Sequence, residues 1–139
     1  MRILLIAPDL NYARDPEAKK VRLPWWARPI IKMGGLHYHG ETRKAPFPPL
    51  GLVTVAGLTP PEHEVHLVDE AIEEVDFDLP ADLVGITCNT STSSRAYQIA
   101  DAFRAKGKTV VMGGVHPTFL PEEALAHCSA VVAGEAEGV

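Results

Sequence analysis

The apolar residues of this chain fall into short runs that alternate with segments of helical spacing. Residues 2–7 form one continuous run after Arg2 and end at Pro8 and Asp9, which is typical of a central strand buried on both faces. Alternating or continuous apolar patterns predict further short strands at 64–69, 82–87, 109–112 and 130–133.

Three helices are predicted between these strands. Residues 50–58 and 93–106 have helical spacing, and the second segment ends at Gly107. One face of that segment carries Ala96, Ile99, Ala100 and Phe103. A third helix is predicted at 121–126, with a proline in its first turn and two acids near its positive end. The alternation of strands and helices predicts an α/β fold, with a doubly wound, parallel five-stranded sheet in three layers, α/β/α.

Composition and charge indicate one ordinary domain. The chain has 139 residues, 46% hydrophobic and 22% charged, which is enough for a single full core. A formal net charge of -5 and scattered Lys and Arg residues argue against a nucleic-acid partner. Because no run has the length of a transmembrane helix or of a signal-peptide core, we expect a cytoplasmic protein with no membrane partner.

The two cysteines and the histidines do not predict a metal site. Cys88 and Cys128 each lack a second cysteine at metal-ligand spacing, so two buried thiols are expected. His37 and His39 could reach one metal together only in an extended segment, and no third ligand is evident, so a solvated loop is favoured.

Residues 11–49 depart from the regular pattern. This excursion contains Trp25, Trp26 and a high density of proline, and it has no sustained helical or strand period. Loops of this length in compact domains are usually functional or disordered. Two adjacent tryptophans favour packing against something, which could be a ligand, another domain or the chain's own core.

Chemistry-bearing residues cluster after the predicted strands, where open α/β sheets bind ligands. Those clusters are Pro8, Asp9 and Asn11; Cys88, Asn89, Thr90, Ser91 and Thr92; Gly113, Gly114, His116 and Pro117; and Gly134, Glu135 and Glu137. The hydroxyl run can cap the next helix, but it holds more hydroxyls than a cap needs. The glycine pair can form a plain turn, or it can let a ligand lie almost on the main chain. Neither a dinucleotide nor a nucleoside triphosphate motif is present.

Five short motifs occur in an order that resembles the N-terminal cobalamin-binding domain of the B12-dependent radical S-adenosylmethionine enzymes. They are P-P-L-G-L at 48–52, V-D-E at 68–70, D-L-V-G-I at 82–86, G-G-V-H-P at 113–117 and G-E-A-E at 134–137. The resemblance implies a Rossmann-like, flavodoxin-like sheet with the corrin over its strand ends and the nucleotide tail between sheet and helices. The cofactor-binding candidates are then Pro8, Asn89, Thr90, Ser91, Thr92, Gly113, Gly114, His116, Pro117, Gly134 and Glu135.

Two departures limit what the resemblance implies. Corrinoid carriers and mutases place a histidine under cobalt with Asp-x-His-x-x-Gly, whereas residues 9–14 here have Asn11 and Arg14 at the His and Gly positions. We therefore expect cobalamin to be held base-off without a histidine ligand, and we assign His116 to a turn or to a hydrogen bond with the tail. The Cys-x-x-x-Cys-x-x-Cys motif of the family's radical barrel is also absent from residues 1–139.

The resemblance thus predicts a cobalamin-binding module of a larger enzyme, most simply a methyltransferase. S-adenosylmethionine and a [4Fe-4S] cluster would belong to a C-terminal radical domain that lies outside this chain, and no catalytic residue is expected here. Two alternatives stay open: a flavodoxin-like domain for a flavin or another phosphate-containing cofactor, and a docking domain that binds no small molecule.

Overall fold

A computed structural model describes residues 1–9 and 49–136 of the chain. The strands are β1 (Arg2–Ala7), β2 (Glu64–Asp69), β3 (Leu83–Thr87), β4 (Thr109–Gly113) and β5 (Ala130–Val132). The helices are α1 (Leu50–Leu58), α2 (Ser93–Ala105), α3 (Val115–Phe119) and α4 (Pro121–Leu125), and a 3-10 turn spans Thr90–Thr92.

The five strands form one parallel sheet in the order β2-β1-β3-β4-β5. Successive strands are added on one side of β1 at first, with β2, and then on the other side, with β3, β4 and β5. The switch point of the sheet therefore lies between β1 and β3. In doubly wound sheets, ligands bind in the crevice beyond the carboxyl ends of the strands at such a switch point. The topology therefore directs attention to this edge.

Helices cover both faces of the sheet, which confirms the predicted three-layer α/β/α fold. On the first face, the α2 side chains Ile99 and Phe103 are fully buried in a cluster with sheet residues such as Met112. On the second face, Leu52 of α1 packs in a separate cluster with Leu5. Within the described ranges, α1 has its main sheet contacts with β1 and β2, so the second face of β3, β4 and β5 lies open beside it.

The predicted elements are confirmed to within one or two residues at their ends, and one helix was missed. α3 begins directly after the glycine pair and contains Pro117 at its third position. A proline is tolerated there because the first turn of a helix has no internal acceptor for its N–H groups. Five residues interrupted by proline give no helical period, so patterning could not identify the helix.

The Pro- and Trp-rich excursion falls almost entirely outside the described ranges, as do Asn11, Trp25, Trp26, His37 and His39. Within the described part of the chain, no helix has the length and apolar character needed to cross a membrane. Within the same part, no group of three or more His, Cys, Asp or Glu side chains could hold a metal ion.

Both cysteines are buried free thiols, as the sequence predicted. Burial raises the pKa of the Cys88 thiol from its ordinary 9.0 to about 12, and burial also raises the pKa of Cys128. We expect neither thiol to react with Ellman's reagent at pH 8 in the native protein, and both to react after unfolding in urea. A native thiol that reacts as fast as in the unfolded chain would contradict this burial.

The same shift gives stability a defined dependence on pH. Above pH 9 the unfolded Cys88 thiol ionises, whereas the folded thiol stays protonated until about pH 12. The unfolded state therefore releases a proton that the native state keeps, and the free energy of unfolding falls by on the order of 1 kcal/mol per pH unit in this window. Urea unfolding at pH 8 and pH 10 measures the loss, which should be smaller in Cys88→Ala.

Candidate functional site

A groove lies on the open second face of the sheet, beside α1. It encloses about 690 Å³ of empty space, including a part open to solvent. Gly51, Leu52 and Val55 of α1 form one wall, and residues 134–136 form the opposite rim. The groove therefore runs from the middle of the sheet to the carboxyl ends of its strands.

Two rows of register partners form the floor of this groove. The inner row joins Leu5 on β1, Gly85 on β3 and Val111 on β4. The outer row, at the strand ends, joins Thr87, Gly113 and Val132. A Cβ at Gly85 would lie 2.8 Å from Cδ2 of Leu5. Because Gly85 has no side chain, Leu5 can pack over β3, and the groove is deeper at this point.

Gly114 forms a tight backbone turn at the rim. Its φ is 103°, a left-handed value that favours glycine, and a Cβ there would lie 2.9 Å from the carbonyl oxygen of Cys88. Two backbone hydrogen bonds hold the turn against the end of β3. The N–H of Cys88 donates to the Gly113 oxygen at 2.8 Å, and the N–H of His116 donates to the Cys88 oxygen at 3.1 Å.

One hydroxyl joins the two glycine turns at the rim. Thr118 Oγ1 donates to the Gly114 oxygen at 2.8 Å and accepts from the Gly134 N–H at 3.0 Å. Gly134 itself has a φ of 86°. Thr118 therefore fixes the turn after β4 relative to the turn after β5, a positioning role for which the sequence carries no signal.

The structure brings together four of the predicted binding residues. Gly113, Gly114, Gly134 and Glu135 all line the groove. Pro8 lies half-buried directly after β1, at the switch point.

The predicted hydroxyl run has a partly structural role. Asn89 and Thr92 form a reciprocal capping box around the 3-10 turn, with the Asn89 N–H donating to Thr92 Oγ1 at 3.1 Å. Thr90 and Ser91 are exposed at the carboxyl end of β3, and Thr92 is buried. The turn therefore presents two side chains outward while its other polar groups hold its shape.

His116 and Pro117 are buried away from the groove lining, under α2. His116 Nε2 lies 2.9 Å from the Tyr97 hydroxyl, which donates to Glu123 Oε1 at 3.0 Å. Since the hydroxyl proton goes to the carboxylate, Nε2 must carry the proton that bonds to the Tyr97 oxygen. Burial and the bond to Glu123 raise the pKa of Tyr97 above its ordinary value, so Tyr97 stays a neutral donor.

A buried ion pair lies behind the end of β1. The Glu70 carboxylate is inaccessible to solvent and bonds Arg95 at 2.6 Å through Nη2 and at 3.0 Å through Nε. The same carboxylate accepts the backbone N–H of Asp9 at 3.1 Å. This pair ties α2 to the chain as it leaves β1, so it supports the switch point.

Most of the lining residues were not predicted, among them Gly51, Gly85 and Thr87. A glycine within a strand often marks close backbone approach, and this signal could have identified Gly85. Gly51 lies on a mostly apolar helix, where a Cβ would meet nothing within 4 Å. That open space follows from the packing of α1 and not from the sequence.

Comparison with known proteins gives a family and several relatives. A model of the B12 binding domain family matches residues 36–139. The chain is 45% identical over 100 residues to bacteriochlorophyllide d C-8(2)-methyltransferase of Chlorobaculum tepidum, covering 71% of this chain and 22% of that protein. It is 43% identical over 94 residues to the C-12(1)-methyltransferase of the same organism, covering 66% and 20%.

A third relative is an uncharacterised methyltransferase of Pyrococcus horikoshii, 38% identical over 103 residues, with 65% of this chain and 22% of that protein covered. The chain thus spans about a fifth of the length of these curated relatives. No solved structure matches it significantly.

Proposed function

The chain belongs to the B12-binding domain family, and from that premise we propose that its groove receives the nucleotide tail of cobalamin while the strand ends lie under the corrin ring. The observation that carries this proposal is the construction of the groove. Apart from Thr87 and Glu135, its lining consists of glycines and apolar side chains, and it opens at the carboxyl edge of a doubly wound sheet. The family expected from five sequence motifs is confirmed by the match over residues 36–139.

Each group of residues has a distinct part in this proposal. The backbone at Gly113 and Gly114 lets the tail approach closely, and Leu52 and Val55 of α1 cover its apolar surface. Thr90 and Ser91, which are exposed at the end of β3, bond corrin amides, and the capping box of Asn89 and Thr92 holds the turn that presents them. These roles support orientation of the cofactor, whereas the organometallic chemistry belongs to the cofactor itself.

We propose that cobalamin is bound base-off and without a histidine from this chain. His116, the one histidine among the predicted binding residues, has its ring directed to Tyr97 and Glu123 under α2. Asn11, which replaces the usual histidine in the sequence, lies outside the described ranges. Both observations support a cobalt whose lower axial position has no nitrogen ligand.

The parent protein is proposed to be a cytoplasmic radical S-adenosylmethionine methyltransferase. The relatives' names support a methyltransferase, and the chain's coverage of about a fifth of them supports a larger parent. S-adenosylmethionine and a [4Fe-4S] cluster would be held by a C-terminal radical domain. When bound, cobalamin would supply a cobalt centre that accepts a methyl group and passes it to substrate.

Cobalamin retention after gel filtration tests the binding proposal. We expect the chain to retain hydroxocobalamin at near one to one and not to retain flavin mononucleotide. Electron paramagnetic resonance of the reduced complex should lack nitrogen splitting. Nitrogen splitting would contradict the lower-face proposal, and nitrogen splitting in a complex that is base-off would restore His116 or His37 as ligand.

Two glycines of α1 provide a matched pair of variants. Gly51 lines the groove and Gly57 does not, and a Cβ at either position meets nothing within 4 Å. Gly51→Tyr should abolish retention by filling the groove, whereas Gly57→Tyr should retain cobalamin as the unaltered chain does. Equal retention by both variants would show that the groove is not the site.

A further inference from the structure

The inner end of the groove is apolar. Its lining there consists of Leu5, Leu52, Val55, Gly85 and Val111. Among the described lining residues, only Thr87 and Glu135 carry polar side-chain groups. Thr87 ends β3 and Glu135 follows β5, so both lie toward the carboxyl edge of the sheet. A ligand group that reaches the inner row therefore contacts no polar side chain of the described lining.

The backbone of the floor is also committed to the sheet. β1 pairs with β2 and β3, β3 pairs with β1 and β4, and β4 pairs with β3 and β5. Each floor strand thus uses its N–H and C=O groups in ladders on both sides. The described inner floor has no polar group left to replace the water that a buried polar ligand atom would lose.

On the basis of the proposed function, we infer that the groove selects corrinoids by the base at the end of their nucleotide tail. A dimethylbenzimidazole base, as in cobalamin, presents mainly ring carbons and methyl groups to the inner row. An adenine base brings an exocyclic amine and additional ring nitrogens, whose hydrogen bonds to water would be lost without replacement. The groove therefore favours a benzimidazole tail over a purine tail.

Val111 is the position at which this selectivity can be changed with least disturbance. It lies on the inner row and half-buried, between Gly85 on β3 and Ala130 on β5. A threonine there has nearly the shape of valine and adds one hydroxyl to the floor. Val65 offers a matched control, because it lies on the same face of edge strand β2 and outside the groove lining.

Dissociation constants of three corrinoids test the inference: cobalamin, its adenine-tailed analogue, and cobinamide, which lacks the tail. We expect the adenine-tailed analogue to bind about tenfold more weakly than cobalamin or worse, as for one unreplaced hydrogen bond. Val111→Thr should narrow this ratio several-fold, and Val65→Thr should leave it unchanged. Urea midpoints of both variants verify that they fold.

The possible failures are distinguishable. Equal affinity for cobalamin and the adenine-tailed analogue would overturn the selectivity while leaving cobalamin binding intact. An unchanged ratio in Val111→Thr would overturn the assignment to the inner row. Cobinamide binding as tightly as cobalamin would show that the groove does not take the tail, and failure of all three corrinoids to bind would overturn the proposed function itself.

Discussion

Replacing Gly114 with alanine is expected to destabilise the domain by about 2 to 5 kcal/mol and to abolish retention of cobalamin. Two effects add. The residue has a φ of 103°, which strains any side chain, and the new Cβ would lie 2.9 Å from the Cys88 oxygen and 3.1 Å from the Cys88 nitrogen. These are backbone atoms of the β3 end, so they cannot move aside as a flexible side chain could.

Urea unfolding and gel filtration with hydroxocobalamin measure the two parts of this prediction. Gly134→Ala is the control for stability, since its φ of 86° also lies in the region that favours glycine while a Cβ there meets nothing within 4 Å. It should lose only about 1 to 2 kcal/mol. Equal losses in the two variants would show that contact with Cys88 has no part in the effect.

The Gly114 turn also explains why His116 is buried beside it. His116 donates its backbone N–H to the Cys88 oxygen, and its ring is held by Tyr97 of α2 and Glu123 of α4. The side chain thus fixes the start of α3 from the first face of the sheet, while the turn itself forms the rim on the second face. The sequence motif at 113–117 therefore serves both faces of the sheet: its glycines line the groove on the second face, and the His116 ring packs on the first.

Patterning predicted the strands, three helices and the sheet because β1 is buried on both faces, β3 and β4 are buried on one face, and α2 carries its apolar residues on one side. Ile99 and Phe103 show this directly, since their spacing in the sequence is the spacing of a buried helix face. The edge at which ligands bind followed from the same rule, since parallel strands end together.

The interior contacts of the site could not be predicted, because they join residues that are distant in sequence. Glu70 and Arg95 are 25 positions apart on different elements, and no pattern in the neighbouring sequence marks either side chain as buried. Thr118 is 16 positions from Gly134 and looks like any surface threonine in the sequence. Such pairs depend on how α2 and α3 pack, which hydrophobic periodicity does not specify.

Loss of the Glu70–Arg95 ion pair is expected to lower the free energy of unfolding by the second largest amount. Glu70→Met should cost about 3 to 5 kcal/mol, since it removes the inaccessible carboxylate that Arg95 bonds through both Nε and Nη2. The exposed pair of Asp78 with Lys106 provides the contrast, and Asp78→Asn should change the urea midpoint little. Glu70→Met should also weaken cobalamin binding, because the Glu70 carboxylate accepts the Asp9 N–H where the chain leaves β1.

A double-mutant cycle separates the charge from the packing. Arg95→Met alone should also be strongly destabilising, because it leaves the inaccessible Glu70 carboxylate without its close cation. The double variant Glu70→Met/Arg95→Met should be more stable than either single variant, since both charges of the pair are then removed together and two apolar side chains fill the space. Additive losses would contradict the argument, because they would mean that the two side chains stabilise the end of β1 independently. If stability recovers in the double variant while cobalamin affinity does not, the pair positions the β1 end for the cofactor as well as compensating charge.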